Sequence, residues 1–217
     1  GATVILFEDG EERPKTAPFF ITADKAYKLY VNGRYVCRGP ARGYQSHWPF
    51  DEVDLAPWLK PGRNWIAVEG YTPGTGTFQY IHQAQAGLLC AARWGRFELL
   101  SGQGWSYRRS PGHNPQTARL SMQIDYQEDQ DAAKADRAWI TEPEPPQGWE
   151  PRFAPNTQLY SNVPFSRPPW ESVEPRGIPL LREEIVTPWA VTAHAEGWSG
   201  LDYKNRQNLS WGWVAEG

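Results

Sequence analysis

The sequence predicts an all-β protein, a β-sandwich or jelly roll, and three observations carry that prediction. About eight or nine short runs rich in β-branched and aromatic residues follow one another at roughly ten-residue spacing in the first half of the chain. Gly, Pro, Asn and Asp residues that favour turns separate these runs. No long segment repeats its apolar residues with the helical period. Such a succession of strands and turns is typical of two packed antiparallel sheets.

The dipeptide Asn32-Gly33 predicts a hairpin around which the other strands are placed. The runs Ala26 to Val31 and Arg34 to Arg38 flank it, and a two-residue type I′ turn needs positive φ at both centres, which Asn and Gly supply most readily. Pairing across this turn predicts a core face and an opposite face. The core face would carry Tyr27, Leu29, Val31, Val36 and the stem of Arg38, and the opposite face Lys28, Tyr30, Tyr35 and Cys37.

Further strands are expected on both sides of the hairpin. The other runs with strand character are Thr3 to Phe7, Pro18 to Ala23, Trp65 to Tyr71, Ala86 to Ala92, Arg96 to Leu100, Trp105 to Arg109, Ile178 to Val186 and Trp189 to Ala193. The stretch Asp51 to Leu59 predicts a short helical turn or an extended crossing. The charged stretch Gln127 to Arg137 predicts a solvated loop or a short surface helix, since it lacks an apolar stripe.

We expect three parts along the chain. A jelly-roll β-sandwich core would occupy residues 1–140, and residues 194–217 would begin a following domain or form a tail. Between them, residues 141–193 would form a long Pro-rich extended segment that returns to the sandwich or leaves it. Glu142 to Pro155 and Pro164 to Pro179 hold five prolines each, and proline is poorly compatible with helices and central strands.

Composition and charge argue against several classes of protein. The 217 residues carry a net charge of −3 without a basic block, so we expect no nucleic-acid binding. No run of 18 apolar residues and no basic segment followed by an apolar one occurs, so we expect neither a membrane span nor a signal peptide within this sequence. Gly1-Ala2 is typical of a cleavage or cloning junction, so a signal peptide could have been removed before it. The sequence is therefore compatible with a cytoplasmic or a secreted protein.

The two cysteines, Cys37 and Cys90, allow at most one disulfide. Cys90 lies in the apolar run LLCAA, which favours a buried free thiol. We infer no cellular compartment from them.

Two loops carry the candidate sugar-binding residues. The chain holds 12 Trp, 10 Tyr and 8 Phe, and planar aromatic rings stack on sugar rings while Arg, His and Gln satisfy the hydroxyls. Loops gather at the two ends of a sandwich, so loops 40–50 and 72–83 would lie close together. The same aromatic residues also suit a second interpretation, in which they cap the core or pack against another domain. The candidate carbohydrate-binding residues are Arg42, Tyr44, His47, Trp48, Tyr80, His82 and Gln83.

Nothing in the sequence predicts catalysis by this chain alone. The nucleophile-elbow, zinc-protease, P-loop and dinucleotide-binding motifs do not occur, and the four histidines show no metal-ligand spacing. Glycosidases need two carboxylates on either side of a sugar, whereas the acids here cluster in charged runs. No cofactor is expected. The sequence is compatible with two roles for Asp51 and Asp54, which are ligation of Ca²⁺ and capping of the turn that follows them.

Two stretches resemble a known family. The run from Ile21 to Glu69, ITADKAYKLYVNGRYVCRGPARGYQSHWPFDEVDLAPWLKPGRNWIAVE, resembles the N-terminal galactose-binding-like β-sandwich module of bacterial α-L-rhamnosidases, glycoside hydrolase family 78. The run PWESVEPRGIPLLREE, from Pro169 to Glu184, resembles the segment that leads from that module to the next domain. The two matches cover about a third of the chain. The resemblance implies a jelly-roll module attached to a catalytic (α/α)₆ barrel whose acidic residues are not in this sequence.

We therefore predict a non-catalytic module of an α-L-rhamnosidase-like glycoside hydrolase. Its partner would be a carbohydrate or the catalytic barrel of the parent enzyme. The alternative is a free-standing lectin-like protein that binds carbohydrate. A reading frame that continues for several hundred residues past Gly217 would distinguish the first from the second.

Overall fold

The computed structural model describes residues 1–73, 76–77, 80, 87–101, 104–119, 121, 123, 126–135, 137–141, 150–152, 170, 172–187 and 189–190. Eleven strands lie in this part of the chain. They are β1 (Ala2–Leu6), β2 (Pro18–Ala23), β3 (Ala26–Val31), β4 (Arg34–Gly39), β5 (Trp48–Asp54), β6 (Arg63–Tyr71), β7 (Leu88–Trp94), β8 (Phe97–Leu100), β9 (Trp105–Tyr107), β10 (Glu150–Arg152) and β11 (Val173–Pro175). Two short 3₁₀ turns, Ala56–Trp58 and Ala138–Ile140, are the helical elements of the described chain, and neither is long enough to cross a membrane.

The strands form two sheets that pack as a β-sandwich, which confirms the predicted all-β fold. The six-stranded sheet has the order β10-β9-β1-β6-β3-β4, and the five-stranded sheet has the order β11-β5-β2-β7-β8. All pairs are antiparallel except β11 with β5, which is parallel. The predicted jelly-roll connectivity and the Pro-rich segment stay predictions, and residues 142–149 and 153–169 lie outside the described part.

Alternating residues of both sheets supply one main core. Leu29 and Val68 point into it from the six-stranded sheet, and Phe19 and Ile21 from the five-stranded sheet, each with at most 1% of its surface exposed. Burying a side chain of this size stabilises the fold by about 1.5–3 kcal/mol. The pairing of two half-apolar sheets thus explains why the alternating strand pattern was visible in the sequence.

The Asn32-Gly33 turn has the predicted geometry, with φ of 51° at Asn32 and 81° at Gly33. The Asn32 side chain also forms hydrogen bonds with residues outside the hairpin. Its amide donates to Asn64 Oδ1 at 2.9 Å, and its oxygen accepts from the backbone N–H of Trp65 at 3.0 Å. Asn64 is fully buried and closes the Lys60–Asn64 turn through its contacts with Lys60. Asn32 therefore joins two turns as well as supplying the positive φ.

The predicted faces of β4 are wrong beyond the turn, because the pairing contains a bulge. Tyr30 lies opposite Tyr35, but Leu29 lies opposite Cys37, so Val36 has no partner of its own. One extra residue exchanges the two faces of a strand. Cys37 therefore points into the core, where 7% of it is exposed.

The remaining expectations have mixed outcomes. Both cysteines are free and buried, which confirms the prediction for Cys90. Asp51 to Leu59 contains the end of β5 followed by a 3₁₀ turn, so each of the two alternatives describes part of it. The strand predicted for Ile178 to Val186 is wrong, since these residues pair with no strand and are exposed. Of Trp189 to Ala193, the structure describes only 189–190, which are not in a strand.

Candidate functional site

The candidate site is the junction where the C-terminal part of the chain joins the sandwich beside the predicted sugar loop. The backbone N–H of Trp48 donates to the carbonyl of Ser172 at 3.0 Å, and that of Arg176 to the carbonyl of Phe50 at 2.9 Å. The Ser172 hydroxyl donates to the carbonyl of Ser46 at 2.6 Å. The loop before β5 and the residues around β11 therefore form one hydrogen-bonded unit.

Three aromatic side chains form the centre of this junction, and we call Trp48, Tyr80 and Trp170 the aromatic cluster. Trp48 stacks on Trp170 with ring centroids 5.8 Å apart and 13° between the planes, and Tyr80 meets Trp48 edge-on at 6.5 Å. The indole N–H of Trp48 donates to the carbonyl of Ala23 at 3.1 Å. Only 3% of Trp48 is exposed, so its rings offer no stacking surface to a sugar. This burial favours the interpretation of Trp48 as scaffold.

The other predicted residues of the first loop lie at the surface. Arg42 and Tyr44 are exposed, and 76% of Tyr44 is accessible. The backbone N–H of His47 donates to the carbonyl of Tyr44 at 2.9 Å, which closes a tight turn. His47 Nε2 lies 3.7 Å from a carboxylate oxygen of Glu174 in β11. The structure thus brings Trp48 and Tyr80 together and leaves the other three outside. Two predicted residues fall outside the described part of the chain, His82 and Gln83.

A buried ion pair fixes the end of β11 to β5. The guanidinium of Arg176 donates to one carboxylate oxygen of Asp51, and the Tyr27 hydroxyl donates to the other. Asp51 is 1% exposed. A Cβ at Gly39 would collide with that second oxygen and with the Tyr27 side chain, so this position requires glycine. Burial, the nearby Cys37 thiol and the bond to Asp51 raise the pKa of Tyr27. A buried carboxylate is tolerated here because both of its oxygens have partners.

The second acid considered for Ca²⁺ has a capping role. Asp54 Oδ1 accepts hydrogen bonds from the backbone N–H groups of Ala17 at 2.7 Å and Ala56 at 3.0 Å. It therefore holds the start of the 3₁₀ turn, as the capping interpretation predicts. The described residues contain no group of three or more His, Cys, Asp or Glu side chains placed to hold a metal ion.

Beyond β11 the chain follows the sandwich without entering a sheet. Glu183 accepts a hydrogen bond from the Tyr35 hydroxyl at 2.6 Å and pairs with the Arg38 guanidinium at 2.8 Å, both on β4. Burial and the bond to Glu183 raise the pKa of Tyr35. The apolar side chains of the same segment are exposed to solvent, and we call them the apolar strip. Its members are Ile178, Leu180, Leu181, Ile185, Val186 and Trp189.

A polar cavity of about 160 Å³ lies at the six-stranded sheet, away from this junction. The sequence does not predict this cavity, because its lining comes from separate parts of the chain. Lys28 pairs with Glu69 at 3.5 Å, and His113 lies 3.4 Å from Glu128. Each of these carboxylates faces a basic side chain, whereas glycosidase chemistry needs two carboxylates that face a sugar.

Comparison with known proteins gives matches among solved structures. The chain is similar to a GH78 family rhamnosidase of Bacillus sp. GL1, with a TM-score of 0.66 and 27% identity over 82% of this chain and 18% of that chain. It is also similar to the α-L-rhamnosidase from Dictyoglumus thermophilum, with a TM-score of 0.54 and 15% identity over 80% of this chain and 18% of that chain. The second likeness shows the fold alone. No family model and no curated protein matches the chain.

These comparisons confirm the resemblance that the hairpin and the later Pro169–Glu184 run predict. The matched enzymes are much longer, and the chain spans 18% of their length. The chain is therefore similar, in fold and in part of its sequence, to a portion of a GH78 rhamnosidase that makes up 18% of the Bacillus enzyme.

Proposed function

We propose that this chain is a non-catalytic module of an α-L-rhamnosidase-like glycoside hydrolase and that its role is to dock against the catalytic part of the enzyme. One observation carries the proposal. The Bacillus rhamnosidase match takes in 82% of this chain but only 18% of the enzyme, so most of the enzyme's chain lies outside the shared module. A module of this kind acts through its contacts with the remainder.

The junction supports docking more than sugar binding. Residues that were expected to form a sugar platform hold the C-terminal segment, since Trp48 stacks on Trp170 and His47 lies near Glu174. A segment fixed in this way leaves the module in a defined direction. That is what a rigid connection between two domains requires.

A direct assay tests the non-catalytic half of the proposal. The 217-residue chain is incubated with an aryl α-L-rhamnoside, with an intact rhamnosidase as the positive control. We expect no release of the aryl group, because most of the matched enzyme lies outside the part that this chain covers, and the buried Asp51 is already paired with Arg176 and Tyr27. Turnover that survives repeated purification would overturn this half.

Carbohydrate binding is a second candidate function, and one observation favours it. Arg42, Tyr44 and His47 are exposed on one tight loop, and they combine a planar ring with hydrogen-bonding groups. Titration of L-rhamnose into the wild-type chain and into Tyr44→Ala tests it. A sugar that binds the wild type but not the variant would support this role.

A further inference from the structure

We propose that the apolar strip is the surface by which this module docks, and that its partner is an apolar face of the domain that follows it in a longer polypeptide. The inference rests on the proposed docking function and deepens it by naming the surface and the partner. Two observations carry the inference: the apolar side chains of the segment are exposed, and its polar contacts fix it to the sandwich.

The strip concentrates the exposed apolar surface of the described chain. Six of the fourteen large hydrophobic side chains that are exposed lie between positions 178 and 189. Ile185 is 97% exposed, Trp189 96% and Val186 78%. Single exposed apolar residues are common on protein surfaces, whereas six of them within twelve successive positions indicate a candidate interaction site.

Polar contacts hold the segment so that the strip faces outward. At its start, Arg176 enters the buried pair with Asp51 and also donates to the carbonyl of Pro179 at 3.2 Å. Further along, Glu183 binds Tyr35 and Arg38 on β4. Arg176 and Glu183 of this segment therefore contact the sandwich, while the apolar side chains of the strip contact water. In most folded proteins the apolar side chains are buried and the charged side chains face water. A second surface that covers the strip would bury its apolar side chains in the same way.

The position of the strip indicates which surface covers it. The strip follows the last described strand, β11, so a domain attached after it would be held next to it at high effective concentration. In the Bacillus rhamnosidase, the shared module accounts for only 18% of the chain, which leaves ample length for such a domain. Three charged residues lie between positions 178 and 189: Glu183 is paired with Arg38 of the module, and the exposed Arg182 and Glu184 carry opposite charges, so the stretch presents no excess of one sign. The matching face is therefore apolar.

Thiol labelling tests the inference, with Ile185→Cys as the reporter. The native thiols give little background, since burial raises the pKa of Cys37 to about 11 and that of Cys90 to about 12. Maleimide labelling at neutral pH is compared between the 217-residue chain and the full polypeptide of the native reading frame. We expect fast labelling in the short chain and labelling at least about tenfold slower in the full polypeptide, equivalent to roughly 1.4 kcal/mol of protection. Glu12→Cys is the control, because Glu12 lies on an exposed loop near the start of the chain, far from the strip in sequence. It should label at the same rate in the 217-residue chain and in the full polypeptide.

Each outcome decides the matter. Equal rates for Ile185→Cys in the two proteins overturn the inference and leave the proposed function standing. A reading frame that stops at Gly217 overturns both. Slow labelling of the short chain that depends on its concentration identifies a second copy as the occupant and overturns the inference. As a second variant, Ile178→Cys should label slowly in the full polypeptide and fast again when Leu181→Ser and Ile185→Ser are added.

Discussion

The central hairpin and the C-terminal segment are attached to the same sandwich by different means. Leu29 and Val31 of the hairpin have no exposed surface, and β3 is paired with β6 along its whole length and with β4 from Tyr27 onward. Where the structure describes it, from 172 to 190 without 188, the C-terminal segment has one three-residue strand, β11, and all three of its residues are exposed. Its attachment depends on Trp170, the Arg176–Asp51 pair and Glu183. The hairpin is thus stabilised by the core, and the segment by a few specific contacts.

The largest effect is expected in the hairpin. Leu29→Ala would leave a cavity in the main core and lower the free energy of unfolding by about 4 kcal/mol. Urea denaturation followed by tryptophan fluorescence measures it. Leu100→Ala, at a position that is 37% exposed, is the matched control and should cost no more than about 1 kcal/mol. Similar losses for the two variants would contradict the assignment of Leu29 to the core.

A smaller effect is expected where the segment joins β5. Arg176→Ala would leave the Asp51 carboxylate buried without its cationic partner, at a cost of roughly 3 kcal/mol. The same denaturation experiment applies. Arg182→Ala removes an exposed guanidinium from the same segment and should change stability by less than about 0.5 kcal/mol. If Arg176→Ala is equally harmless, the ion pair does not hold the segment.

Two glycines extend the comparison to the backbone. Gly33 has a φ of 81°, and a Cβ there would lie 2.7 Å from a methyl carbon of Thr141. Gly33→Ala should therefore destabilise the chain by about 1–2 kcal/mol. Gly177 has an ordinary φ, and nothing lies within 4 Å of a Cβ built on it. Thermal melts of Gly33→Ala and Gly177→Ala should differ clearly, and equal melting temperatures would speak against the described turn.

The smallest effect on the isolated chain is expected in the apolar strip. Ile185→Ser replaces a side chain that is 97% exposed, so the stability of the 217-residue chain should change by less than about 0.5 kcal/mol. In the full polypeptide the same substitution should lower the melting temperature, because it removes apolar contact area between domains. A drop of the same size in both proteins would assign Ile185 to the module's own packing.

The sequence predicted the fold well where the signal is local. The observed bounds of β2 and β3 are those predicted, and the Asn32-Gly33 turn has the predicted geometry, because alternation and turn chemistry are read from neighbouring residues. The bulge at Val36 is not predicted, because it depends on how β4 pairs with β3 and not on local composition. No feature of the residues next to Val36 shows that β3 has one residue fewer in this pairing.

The site was harder to predict, because its contacts join distant parts of the chain. Asp51 and Arg176 are 125 positions apart, so the sequence could not show that they pair. Trp48 was placed in a functional loop, but its neighbour Trp170 comes from the C-terminal segment. The composition of residues 178–186 predicts a strand wrongly, since an extended exposed segment and a strand can have the same local composition.

Because Trp48 is buried and stacks on Trp170, we expect it to hold the C-terminal segment and not to bind sugar. Calorimetric titration of L-rhamnose and galactose into the wild-type chain and Trp48→Ala, together with thermal melts of both, tests it most directly. Tyr44→Ala, with an exposed ring, is the control whose melting temperature should not change. We expect Trp48→Ala to lose about 3–5 kcal/mol of stability. We expect its sugar titrations to be the same as those of the wild-type chain. An unchanged melting temperature, with sugar binding weakened by on the order of 1–3 kcal/mol, would contradict it.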